Sequence, residues 1–134
     1  MRVHQLRHVL VAGDDQHIKT CGFALLRRTT DIDFTSEDDV RERWHPQARR
    51  LVGELTGARE VFPFLGILRG GEGDLGGGPA LMAHVDFNAD SLRNWVSQLA
   101  GDRAFGFAAR RLINVNLWTP IRGVENSPLA VFTV

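Results

Sequence analysis

Apolar positions recur along the chain with two periods, and the change from one to the other divides it into elements. Between residues 46 and 56, Ala48, Leu51, Val52 and Leu55 fall at helical spacing and form one apolar stripe, closed by Gly57. Ahead of that stripe, Thr35 or Ser36 can cap a first helical stretch whose opening residues, Glu37, Asp38 and Asp39, suit the positive end of a helix dipole. Val40 and Trp44 lie one turn apart within it. Pro46 is expected to break a continuous helix and to open the second one as its first residue. His45, at this junction, reads as a helix-boundary residue. A third helix is predicted over residues 89–100, with Asn88 as its cap, Leu92, Trp95, Val96 and Leu99 as its buried face and Gly101 as its end.

The other apolar segments alternate with period two or are too short for helices, which predicts strands over residues 2–11, 22–27, 59–68, 82–87, 110–118 and 129–134. Residues 29–34 form an extended connection, and Pro63 places the 59–68 run at a sheet edge or a bulge, because proline cannot donate to a ladder. Residues 110–118 alternate most cleanly: Ile113, Val115 and Leu117 are one face, and Leu112, Asn114, Asn116 and Trp118 the other. Two readings fit that amide-bearing face. It lines a small β-barrel that holds a polar ligand, or its amides simply face water. Seven of the fourteen glycines fall between Gly66 and Gly78 and mark a single loop. Pro79 and a strand follow it, where a phosphate-cradling loop needs a helix with Lys and Ser or Thr, so the loop reads as a lid or an insertion.

Composition narrows the function classes. A chain of 134 residues is the length of one domain, and 43% apolar with 24% charged residues is the balance of an ordinary soluble globular protein. Sixteen basic residues offset sixteen acidic ones, so no global field favours nucleic acid or an anionic membrane. No apolar run approaches the ~20 residues of a membrane span, and the N-terminus lacks the order of a signal peptide. The one cysteine, Cys21, forms no internal disulfide, which fits a reducing cytoplasm.

Candidate chemistry gathers at His84 and Asp86. On a strand over 82–87 they project from one face, with Val85 and Phe87 on the other. One imidazole and one carboxylate so placed supply two of the three ligands of a non-haem Fe(II) site, which uses two His and one carboxylate and leaves its other positions open. The bland alternative is a surface histidine beside a helix-entry aspartate, because His-x-Asp is short enough to arise by chance. His4 and His8 share a strand face but lie about 13 Å apart, too far for one ion. His17 sits in a polar loop.

Order and spacing then carry a resemblance. Gly22-Phe23, His45-Pro46, Leu51 through Leu55-Thr56-Gly57-Ala58, Pro79-Ala80 with His84-Val85-Asp86-Phe87, Asn116-Leu117-Trp118-Thr119-Pro120 and Ser127-Pro128-Leu129-Ala130 follow one another over nearly the whole chain. In this order they resemble the oxidoreductase family that includes the CmcJ component of cephamycin biosynthesis, hydroxylase/desaturases of the aspergillic-acid type and gibberellin desaturase-like proteins. The resemblance implies an α+β fold, a double-stranded β-helix (jelly-roll) with flanking helices, of which residues 1–134 are a single domain forming the N-terminal and central part. It implies Fe(II)- and 2-oxoglutarate-dependent hydroxylation or desaturation of a small secondary metabolite. His84 and Asp86 are then metal ligands and Asn116 a contact to cosubstrate or substrate, with Asn114 and Trp118 as further candidates on the same face.

Two departures qualify that expectation. Thr119 stands where the family usually has Arg. The family's distal His and the basic residue for the cosubstrate carboxylate follow the Ser-Pro-Leu-Ala segment, whereas no His follows residue 84 here and the sequence ends at Val134. The expectation is a chain lacking its last barrel strands, inactive or nearly so alone, and prone to self-association through an open sheet edge. The competing reading is a non-catalytic, self-associating remnant that binds a small molecule. A third is a cupin-like protein that completes a metal site across a dimer with His45 or His17.

Overall fold

A computed structural model describes residues 22–68, 84–107 and 110–121, with isolated positions at 18, 20, 123 and 129. The predicted strand over 2–11, the glycine-rich loop, His17, Cys21 and the Ser-Pro-Leu-Ala segment save Leu129 lie outside the described residues. The chain divides into two compact units, Met1–Val61 with Pro120–Val134, and Phe62–Thr119.

The first unit is built on helices α1 (Glu37–Asp39) and α2 (His45–Thr56), joined by a π-helical segment, Val40–Trp44. Ser36 caps α1 by accepting from Asp39 N at 3.3 Å. The extended residues before it are pinned to the helix. Asp39 Oδ2 accepts from Asp33 N at 2.8 Å, and Arg43 reaches Asp39 at 2.8 Å and Asp31 at 2.6 Å. Phe34 meets Trp44 edge-on at 5.2 Å. These contacts hold the Asp39 carboxyl below the usual carboxylate range, chiefly through the Asp33 amide and then through Arg43. Asp33 is lowered in turn by the Thr35 hydroxyl and amide.

Pro46 does not break the chain's helical path, contrary to expectation. The amide of His45 bonds to Val40 O, five residues back, and backbone angles stay right-handed from Asp39 through His45. A proline ring collides with the carbonyl four residues earlier and has no N–H to offer it. The wider π turn shifts the hydrogen-bond register where that collision would occur, so α2 starts without an interruption. Gly57 ends α2 at φ +68, its amide bonded to Gly53 O at 2.9 Å. Ala48 and Val52, from the predicted stripe, are buried, together with Ile32.

The second unit holds α3 (Ala89–Ala100), which continues into a 3₁₀ segment, Gly101–Phe107. Residues 62–64 pack against both. Phe64 stacks on Trp95 at 5.6 Å and meets Phe87 edge-on at 5.9 Å, while Phe62 meets Phe107 at 5.6 Å beneath the Arg103 guanidinium. Ala100 is buried.

No strand is present among the described residues, which overturns the expected α+β jelly-roll for this part of the chain. Residues 22–27, 59–68, 84–87 and 110–118 are irregular or extended without a ladder. Alternation marks a face, but a strand also requires a partner for every backbone N–H and C=O. Two local features oppose pairing. Gly22 adopts φ +78 and closes a helical bond to Ile18 O at 3.0 Å, so the 22–27 run begins at a helix end. Leu65 adopts φ +47, a left-handed conformation that costs a non-glycine residue about 1–2 kcal/mol and turns the 59–68 run aside. In residues 110–118, Ile113 and Val115 of the supposed core face are exposed.

Candidate functional site

Residues 84–88 lead directly into α3, and the helix start fixes their end. Asn88 Oδ1 accepts from Ser91 N at 2.9 Å and Ser91 Oγ accepts from Asn88 N at 3.0 Å, a reciprocal cap that satisfies two orphan donors. Phe87 is held in the aromatic group with Phe64 and Trp95. Between these fixed points, Val85 is left 88% exposed, and its two neighbours meet. His84 Nε2 lies 3.1 Å from Asp86 Oδ1. The other carboxylate oxygen, Asp86 Oδ2, accepts from Asn116 Nδ2 at 2.7 Å.

The geometry tests whether a metal fits. Ligands at about 2.1 Å from an ion, in adjacent positions of an octahedron, lie about 3.0 Å from one another. Nε2 and Oδ1 have that separation. The His84 and Asp86 side chains retain 56% and 36% of their accessible surface, so an ion can reach them from solvent. That separation lets both atoms serve as adjacent ligands of such an ion, and it is equally the length of a direct imidazole–carboxylate contact. Among the described residues, no group of three His, Cys, Asp or Glu side chains gathers to complete a set.

The convergence does not arise as the alternation predicts. Asp86 sits in a bend and His84 outside any strand, so no shared strand face brings them together. The cap at Asn88 and the ring contacts of Phe87 with Phe64 and Trp95 do it instead, on the helix side. Of the three candidates on residues 110–118, Asn116 reaches Asp86, whereas Asn114 and Trp118 are exposed. His45 is the first residue of α2, as a boundary residue should be. The Asn116–Asp86 bond spans 30 residues and leaves no local signal. Alternation could place Asn116 on a face with Asn114 but could not say which of the two meets the carboxylate.

The comparisons with known proteins define the class. A family model described as Oxidoreductase/YMDC permease-like domain matches residues 1–134, and the chain belongs to that family. It is similar to two fungal proteins in particular. One is Alpha-ketoglutarate-dependent dioxygenase phiK of a fungal species, 27% identical over 129 residues that cover 87% of this chain and 46% of the relative. The other is Oxidoreductase AN1597 of Emericella nidulans, 26% identical over 114 residues that cover 77% of this chain and 39% of the relative. The chain thus spans less than half the length of these curated relatives. Both are consistent with the CmcJ-like resemblance carried by the motifs. No solved structure matches the chain significantly. Among the described residues, no helix is long and apolar enough to cross a membrane.

Proposed function

We propose that the chain carries two protein ligands of a non-haem Fe(II), 2-oxoglutarate-dependent oxidoreductase centre, His84 and Asp86, acting on a small metabolite by hydroxylation or desaturation. The observation that carries this reading is the 3.1 Å approach of His84 Nε2 to Asp86 Oδ1, two donor types suited to Fe(II) at the separation of neighbouring ligands. Similarity to an alpha-ketoglutarate-dependent dioxygenase supports the choice of cosubstrate. When bound, such an ion would couple the four-electron reduction of dioxygen to two oxidations, that of a substrate C–H bond and the oxidative decarboxylation of 2-oxoglutarate to succinate and carbon dioxide.

The chain's own residues contribute donor identity and placement. His84 offers the Nε2 lone pair, which requires the imidazole proton on Nδ1. Asp86 offers Oδ1 as an anionic oxygen and keeps Oδ2 turned to Asn116. Ring contacts among Phe64, Phe87 and the partly exposed Trp95 anchor the backbone just after the pair.

Anaerobic titration with Fe(II) and 2-oxoglutarate tests the reading. A visible charge-transfer band from the chelated 2-oxo acid is expected in the wild type, with loss in His84→Ala and in Asp86→Ala. A wild-type chain that develops no band overturns the assignment and leaves the non-catalytic binding module in its place.

A further inference from the structure

We infer that Asn116 is a positioning residue for the Asp86 carboxylate: its amide holds Oδ2 so that Oδ1 alone is presented beside His84 Nε2. This rests on the reading of His84 and Asp86 as metal ligands, and it goes beyond that reading by giving Asn116 a role toward the ligand instead of toward cosubstrate or substrate.

The argument begins with the two ends of one carboxylate. Oδ1 lies 3.1 Å from the imidazole nitrogen, and Oδ2 accepts from Asn116 Nδ2 at 2.7 Å. A carboxylate rotates freely about its last torsion, and an isolated Asp on an exposed segment samples both oxygens equally. A short, charge-assisted bond to one oxygen removes that equivalence. It leaves a single oxygen facing the imidazole, which favours one-oxygen over two-oxygen coordination.

Asparagine suits the task. Its amide donates to a carboxylate without adding a second negative charge to compete for the ion. Asn116, Asp86 and His84 are all exposed, so water competes for the bond and its contribution to folding is small. What the bond does determine is direction. Partners that orient a metal's ligands characteristically alter metal affinity by 10–100-fold when removed. Asn114, exposed two positions earlier, is the built-in control.

Mn(II) is the probe, with free ion quantified by electron paramagnetic resonance, in wild type, Asn116→Leu, Asn116→Gln, Asn114→Leu and His84→Ala. Asn116→Leu keeps side-chain bulk and removes the donor, and about 10–100-fold weaker binding is expected, with the metal-free unfolding midpoint unchanged. Asn116→Gln, which keeps the donor, recovers part of the affinity, and Asn114→Leu binds as wild type. In the Mn(II)-loaded protein, the splitting between the two Asp86 carboxylate stretching bands narrows in Asn116→Leu as the freed group swings toward two-oxygen binding. A purely structural role moves neither the splitting nor the Gln rescue. Should Asn116→Leu fail to fold, Asn116→Ser, too short to reach Oδ2, carries the same expectation. Wild-type affinity in the folded Asn116 variants, with binding still lost in His84→Ala, overturns the role of Asn116 and leaves the site standing. Equal binding by wild type and His84→Ala, or none by either, overturns the site and the inference together.

Discussion

Asp39 joins the extended residues ahead of α1 to the helix through several polar contacts, and its behaviour in acid follows from them. Its carboxylate takes the Asp33 amide and the Arg43 guanidinium at once, while Arg43 also holds Asp31. The Asp33 amide first and Arg43 second keep the Asp39 carboxyl below its ordinary value, and the Thr35 hydroxyl and then the Thr35 amide do the same for Asp33. A carboxyl lowered in the folded state stabilises the fold above its unfolded value of about 3.9, and that stabilisation is lost as pH falls through the lower, folded value. Arg43 is shifted the other way, upward, chiefly by Asp39, and stays charged throughout this range, so what acid removes is the carboxylate half of their pair. Lowering the pH from about 6 to about 2.5 should therefore depress the thermal midpoint of the wild type more than that of Asp39→Asn, the amide having no charge to lose. Circular dichroism melts at stepped pH measure it. Asp33 and Arg43 are exposed and Asp39 is half-buried, so water screens these contacts and the difference is small, and identical acid losses in the two proteins would remove Asp39 from the account.

Elements differ in how far their signals reach along the chain. Asn88 and Ser91 cap each other across three residues, a closed local exchange that needs no tertiary partner. Replacing Asn88 with Ala should cost about 1 kcal/mol in urea unfolding, and Asn88→Asp, another good cap, should cost much less. Equal losses in the two variants would show that side-chain bulk matters at this position and the cap does not. Locality of this kind explains why the helices were legible: Ser36, Asn88, Gly57 and Gly101 stand at or beside the boundaries they mark. Pro46 stands in the first turn of α2, as its fixed φ suits, but the helical path runs on ahead of it because the π turn over Val40–Trp44 shifts the hydrogen-bond register, which no single residue announces. The strands predicted within the described residues are absent for the opposite reason. Alternation through Ile113, Val115 and Leu117 says which side chains share a face, but a ladder depends on a partner elsewhere in the chain, and among the described residues 110–118 form no ladder. His84 and Asp86 were legible as a pair even so, since two residues of separation bring side chains close in several backbone conformations. The contact from Asn116 was not, because it is long-range.

At the scale of the molecule, the question is what folding adds to a site whose two donors are already neighbours in sequence. His84 and Asp86 remain two residues apart in the unfolded chain, so unfolded protein also offers an ion this pair, though without fixed geometry. The folded second unit adds the anchoring of Phe87 among Phe64 and Trp95, the cap at Asn88 and the grip of Asn116 on Asp86 across 30 residues. Only this added part couples binding to stability. An ion that binds the native state alone, at a hundred times its Kd, stabilises by about 2.7 kcal/mol, and any affinity for the unfolded chain subtracts from that figure. Mn(II) should therefore raise the urea midpoint of the wild type by an amount that approaches but does not reach this limit, with full reversal by a chelator. Asp86→Ala should show no rise. Asn116→Leu should show a smaller rise than wild type, since in it the folded pair is held little better than the unfolded one. If Mn(II) binds the wild type yet leaves its midpoint unmoved, the folded chain grips the ion no better than the unfolded chain does, and the 3.1 Å approach of His84 to Asp86 is an ordinary surface contact between two polar neighbours.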